Sequence, residues 1–156
     1  MEQLMDLSVL NTVSEVELIY KSKVKPTERP QVKTPNDCYQ LLLQTWDENR
    51  IEFVEQFKVI LMNRAHRVLG IYELSTGGVS STAVDIKLVF MAALKANACN
   101  LVLSHNHPSG NLKPSMADER LTSRIKAAGT LLEIEVLDHI IVTSEGYYSF
   151  ANEGMI

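Results

Sequence analysis

Cysteine is scarce in this chain, with two among 156 residues, Cys38 and Cys99. That excludes a disulfide scaffold, and none is needed, since a domain of this length buries roughly 70% of its unfolded surface. A reduced, intracellular pair is the simplest reading. Cys99 lies in the apolar run Ala98 to Leu103, where a buried, inert thiol is expected. Basic residues are not in excess either: 15 Lys and Arg face 19 Asp and Glu, for a net charge of -4. That balance argues against a chain that grips phosphates by bulk charge, so DNA is not favoured as a partner. The most basic stretch (Lys21, Lys23, Lys25, Arg29 and Lys33) reads as a solvated segment rather than a nucleic-acid arm. No apolar run approaches the ~20 residues of a membrane helix. The first residues, MEQLMDLSVL, lack the basic start and apolar stretch of a secretion signal. The expected location is therefore the cytoplasm.

What is present is a pattern of short alternating elements. Residues Val13 to Ser22 read as a strand with Val16, Leu18 and Tyr20 on one face. Lys23 to Lys33, with Pro26 and Pro30 among charges, reads as a linker. Thr34, Pro35 and Asp37 form a helix start, followed by the apolar stripe Cys38, Leu41, Leu42 and Trp46. Phe53 to Met62 and Val68 to Leu74 read as antiparallel strands joined by a turn at 63–67. Asp85 caps a helix reaching about Asn97, and Leu101 to Leu103 form a short apolar strand suited to the middle of a sheet. His105 to Pro114 reads as a loop, and Ser115 starts a helix ending near Gly129. Leu131 to Val136, His139 to Val142 and Tyr147 to Phe150 read as closing strands. These elements specify an α/β domain, a mixed and mostly antiparallel sheet flanked by helices. The expected division is an amino-terminal extension over 1–33 (a strand plus a proline-containing linker) and a single domain over 34–156.

The segment from Ser104 to Asp118 carries the chemistry. In an extended chain, residues two apart point the same way, so His105 and His107 can aim both imidazoles at one point. Pro108 holds His107 extended, and Ser109-Gly110 permits a sharp turn. Asp118, on the first turn of the next helix, can then return to that point. Two imidazoles and a carboxylate suit a catalytic zinc whose fourth position takes water. Iron, cobalt and manganese accept the same donors. Each part alone has a plain structural meaning: His-x-His is common, and Ser115-x-x-Asp118 is an ordinary capping box.

Hydrolysis also needs a proton acceptor near the water. Glu52, Glu55 and Glu73 lie on or beside candidate strands. Glu55 shares its face with Phe57, Val59 and Leu61, at the end of an apolar stripe. The pattern does not choose among the three. His139 reads as a structural histidine with a supporting role near the metal as the alternative, and His66 as a solvated turn residue.

His105-x-His107-Pro108-Ser109-Gly110, followed by Pro114-Ser115-x-x-Asp118, resembles the JAMM motif of the MPN metalloprotease superfamily. With Leu137 to Val142 and Tyr147 to Phe150, the pattern resembles the RadC branch of that superfamily over roughly residues 34–156. The resemblance implies an MPN/JAB-like fold with one zinc held by His105, His107 and Asp118. It implies Glu55 as the residue that binds the water and shuttles its proton, and Ser115 as a donor to the oxyanion. It further implies hydrolysis of peptide or isopeptide bonds in a protein or peptide substrate. Longer RadC proteins carry a helix-hairpin-helix region that binds DNA; here about 33 residues precede the matching part. Where RadC proteins often read His-Pro-Arg-Glu, this chain has Asp85-Ile86-Lys87-Leu88. Two other functions compete: a RadC-type factor associated with DNA repair or recombination, and a non-catalytic interaction module on the same fold.

Overall fold

The computed structural model describes residues 14, 16, 17, 19–78 and 83–156. Helix α1 spans Pro35–Thr45, and strands β1 and β2 span Gln56–Met62 and Val68–Thr76. Helix α2 spans Ile86–Lys95, β3 Asn100–Asn106, α3 Met116–Leu131, β4 Glu135–Val142 and β5 Tyr147–Ser149. The five strands form one sheet in the order β2-β1-β3-β4-β5. Only β3 and β4 run parallel; the other three pairings are antiparallel. The parallel pair requires a crossover, and α3 supplies it.

The sheet is covered on both faces because its central strands are apolar on both. One core holds Phe57, Val59, Leu61, Leu101, Leu103 and Val136 of the sheet against Val89, Phe90 and Ala93 of α2 and Ile125 of α3. The other holds Ile60, Met62, Val102, Ile140 and Val142 against Cys38, Tyr39 and Leu42 of α1 and against Trp46. Odd-numbered residues of β3 therefore face α2 and α3, and even-numbered residues face α1.

Three helix starts expected from the caps are present. Thr34 and Asp37 form a reciprocal capping box on α1, Asp85 accepts from Lys87 N–H on α2, and Ser115 and Asp118 repeat the box on α3. Other expectations need correction. The described residues of the first expected strand, including Val16 and Tyr20, form no strand; Val13 and Leu18 lie outside the described residues. Val16 is 83% exposed, so the alternation there has no core to face. The Tyr20 hydroxyl donates to Leu69 O of β2 at 3.0 Å. Strand β3 does not stop at Leu103 but runs on through His105 and Asn106, because β1 pairs with it as far as His105 and β4 as far as Asn106. Leu131 closes α3 rather than opening a strand. The two closing strands are one, β4, with an irregularity where Val102 follows Leu101 on the partner. Of the two thiols, the buried one is Cys38, whose pKa burial pushes up to about 12; Cys99 is only half-buried.

That irregularity sets the direction of a key side chain. Leu101 pairs with Val136, but Val102 pairs with Asp138, so Leu137 is an extra residue in β4. An extra residue reverses the alternation beyond it. Asp138 therefore shares the α1 face with Val102, and His139 shares the α2–α3 face with Leu103 and His105.

Candidate metal centre

His105 is the penultimate residue of β3, and His107 follows the strand while still donating its N–H to Val142 O at 3.1 Å. The chain then turns through Pro108 and Ser109, closed by Gly110 N–H on His107 O at 3.0 Å. Gly110 has φ +80°, a left-handed conformation that favours glycine. Seven residues, 108–114, separate His107 from Ser115, the cap of α3. Ser115 Oγ accepts from Asp118 N–H at 3.1 Å, and Ser115 N–H donates to Asp118 Oδ2 at 2.8 Å. The capping box thus holds the Asp118 carboxylate in place.

The structure brings His105, His107 and Asp118 together, with one ligand atom from each lying within 4.8 Å of the others. His105 Nε2 stands 2.9 Å from His107 Nε2 and 3.5 Å from Asp118 Oδ1. His107 Nε2 stands 3.8 Å from Asp118 Oδ2. Donors of a tetrahedral zinc, each about 2.0–2.1 Å from the ion, are about 3.3 Å apart; the two imidazole nitrogens stand a little closer than that, and each has one Asp118 oxygen a little farther. The chemistry of the donors points the same way. His107 Nδ1–H donates to Asn111 O; a carbonyl cannot donate, so the Nε2 of neutral His107 is a bare lone pair. A lone pair beside a carboxylate and a second imidazole nitrogen calls for a positive charge between them. The residues present fit a metal ion.

The electrostatics agree. Burial raises the pKa of Asp118, but hydrogen bonds from His105 and His107, available while their Nε2 atoms carry protons, outweigh it and hold the carboxyl well below the usual range; a metal ion would take the place of those protons. The Asp118 carboxylate holds His107 above its ordinary value against the opposing effect of burial, with the Asn111 carbonyl and the Glu55 charge adding to it. His139 is pushed well below its ordinary value, by enclosure first and by His105 second.

The three glutamates separate by position. Phe57 pairs with His105 at the end of the β1–β3 ladder, and Glu55, two residues before it, lies near enough for its charge to act on His107. Glu73 lies across from Lys58 on the α1 face, where it accepts from Gln56 Nε2 at 3.0 Å and Thr76 Oγ1 at 3.1 Å. Glu52 is exposed and accepts from Ser144 Oγ at 2.7 Å. A cleft of about 140 Å³ opens beside His107, lined by Glu52, Pro108, Ser109, Gly110, Thr143, Ser144 and Glu145.

Sequence reasoning passed over Asn106 and Thr122. Asn106 is buried between the two histidines, with its side chain on the opposite face. It donates to Ile51 O at 2.7 Å and Val54 O at 2.9 Å, and accepts from Gln56 N–H at 2.7 Å. These bonds hold the segment that presents Glu55. The signal was available: an amide inside a buried strand must find partners. Thr122, in mid-helix, gave no such signal.

The model of the RadC-like JAB domain family matches residues 32–155. The chain belongs to this family. It is 46% identical to a UPF0758 protein of Flavobacterium johnsoniae over 101 residues, covering 65% of this chain and 44% of that protein. It is 40% identical to one from Alkaliphilus metalliredigens over 126 residues, covering 81% and 53%. A third, from Rubrobacter xylanophilus, is 41% identical over 130 residues, covering 82% and 55%. The RadC-like chain thus spans about half the length of the curated relatives it matches. Among its described residues, no helix is long and apolar enough to cross a membrane.

Proposed function

We propose that this RadC-like domain is a zinc-dependent hydrolase of peptide or isopeptide bonds. The observation that carries the reading is the convergence of two imidazole nitrogens and a carboxylate within 4.8 Å of one another, with the Glu55 charge acting on His107. His105, His107 and Asp118 would hold one ion. When bound, a divalent ion there supplies Lewis acidity that makes water a nucleophile at neutral pH.

The chain's own residues do the rest. Glu55 accepts the proton of the attacking water and returns it to the leaving amine as the carbon–nitrogen bond breaks. Ser115 Oγ already accepts from Asp118 N–H, which leaves its hydroxyl proton to donate to the oxyanion that forms on the scissile carbonyl. The cleft beside His107 would receive one part of a protein or peptide substrate. A factor for DNA repair has no comparable support in this geometry.

Metal analysis and a substrate screen test the proposal together. Purified wild type should carry near-stoichiometric zinc, and His105→Ala should carry none. Glu55→Gln should keep the zinc and lose about 10²–10⁴-fold in turnover of peptide or isopeptide substrates. Equal product from wild type and Glu55→Gln would leave a metal-binding module without catalysis.

A further inference from the structure

His139 is fully enclosed, with Phe150 stacked on it at 4.7 Å and Phe57 edge-on at 5.7 Å. Both ring nitrogens are taken. Nδ1 lies 2.6 Å from Thr122 Oγ1, and Nε2 lies 2.8 Å from His105 Nδ1. Thr122 Oγ1 in turn lies 2.7 Å from Asp118 O. These contacts form a chain from the backbone of one ligand, Asp118, to the ring of another, His105. It passes through α3 and β4 to reach β3.

The protons on this chain have one consistent arrangement. Asp118 O carries no hydrogen, so the Thr122 hydroxyl proton lies between the two oxygens. The Thr122 oxygen can then only accept from His139, which places a hydrogen on His139 Nδ1. A second hydrogen on His139 Nε2 would make a cation, sealed from water, whose two ring partners are a hydroxyl and an imidazole; that is costly. His139 Nε2 is therefore an acceptor, and His105 Nδ1–H is its donor. In neutral His105 the one proton therefore sits on Nδ1, and its Nε2 is left as a lone pair facing His107 and Asp118.

We propose that Thr122 and His139 are positioning residues that fix the ring orientation and tautomer of His105, so that its Nε2 is presented ready to bind the ion. Histidine ligands are commonly oriented by a carboxylate or carbonyl; here a neutral imidazole, itself oriented by a threonine, performs that task. The proposal rests on the metal-site reading above. It adds that removing one hydroxyl, on a residue that touches no ion, degrades the site.

The test uses the full chain and has two readouts. Long-range proton–nitrogen NMR of the metal-free, histidine-labelled protein at pH 8 should show the Nδ1–H tautomer for His105 and for His139. Zinc affinity, measured by competition with a chromophoric chelator, should fall about 10–100-fold in Thr122→Val. Thr122→Ser, which keeps the hydroxyl, should bind zinc within about twofold of wild type on the same basis. Urea midpoints of both variants separate loss of the site from loss of the fold. An Nε2–H tautomer at His105, or a folded Thr122→Val that binds zinc like wild type, would overturn the positioning role and leave the metal reading standing. Failure of wild type to take up zinc would overturn the metal reading and the positioning role with it, whatever the tautomers.

Discussion

Asp118 and Asp138 are both largely withdrawn from water, and their surroundings treat them oppositely. Asp138 faces α1, and its carboxylate accepts from Ser149 Oγ at 2.6 Å, His139 N–H at 2.7 Å and Ala151 N–H at 2.9 Å. Burial raises its pKa, and these donors only partly offset that. Asp118 receives one backbone N–H, from Ser115, and otherwise faces two imidazole Nε2 atoms, which hold its pKa down only when they carry protons. A carboxylate surrounded by hydrogen-bond donors is finished when the chain folds. A carboxylate whose remaining neighbours carry lone pairs is finished only when a cation arrives. That distinction, rather than burial, separates the structural aspartate from the site.

Substitution should divide the two sharply. Asp118→Asn is expected to cost more than about 100-fold in zinc affinity, beyond the range of outer-shell partners, while lowering its metal-free urea midpoint less than Asp138→Ala does. Asp138→Ala is expected to strip the acceptor from three buried donors and to destabilise the fold by about 3 kcal/mol, read from urea unfolding. Interchanged results, with Asp138 governing zinc and Asp118 governing stability, would break the contrast.

Acid titration of the metal-free protein sharpens it. The folded pKa of Asp118 lies below its ordinary 3.8, so its contribution is present above that value and is lost as pH falls. The folded pKa of His107 lies above its ordinary 6.5, so its contribution is present below that value and is lost as pH rises through the folded value. Asp138 has the opposite sign to Asp118: raised above 3.8, it favours the fold at low pH, and that gain disappears on ionisation. Thermal melting from pH 3 to 8 should show a flatter acid limb for Asp118→Asn and a steeper one for Asp138→Asn. Matching slopes would mean that the two carboxyls share one environment.

The smallest expected effect concerns the two capping boxes. Thr34-x-x-Asp37 and Ser115-x-x-Asp118 are the same motif with the same reciprocal bonds. Thr34→Ala and Ser115→Ala should each cost about 1 kcal/mol of stability. Only Ser115→Ala should also reduce zinc affinity or turnover, because only its partner carboxylate meets the histidines.

These pairs show what local pattern can and cannot say. Thr34, Asp85 and Ser115 were legible as caps, since a cap is decided within about four residues of chain. Glu55, Glu52 and Glu73 were not separable, because the choice depends on which strand lies beside β1 and in what register. The alternation through Val16 and Tyr20 misled because a periodic segment forms a strand only where a sheet edge and a core receive it.

From sequence alone came the α/β class, the helix starts, the His105-x-His107 pair held extended before Pro108, and Asp118 one turn into α3. Each rests on interactions that span a few residues. The tertiary structure decided which of the three glutamates has its charge acting on His107, and that Asp138 and His139, adjacent in the chain, serve opposite faces of the sheet. The physical reason is the extra residue at Leu137: one unpaired position in β4 reverses every side chain after it. Whether a residue is extra depends on the pairing with β3, more than thirty positions earlier in the chain.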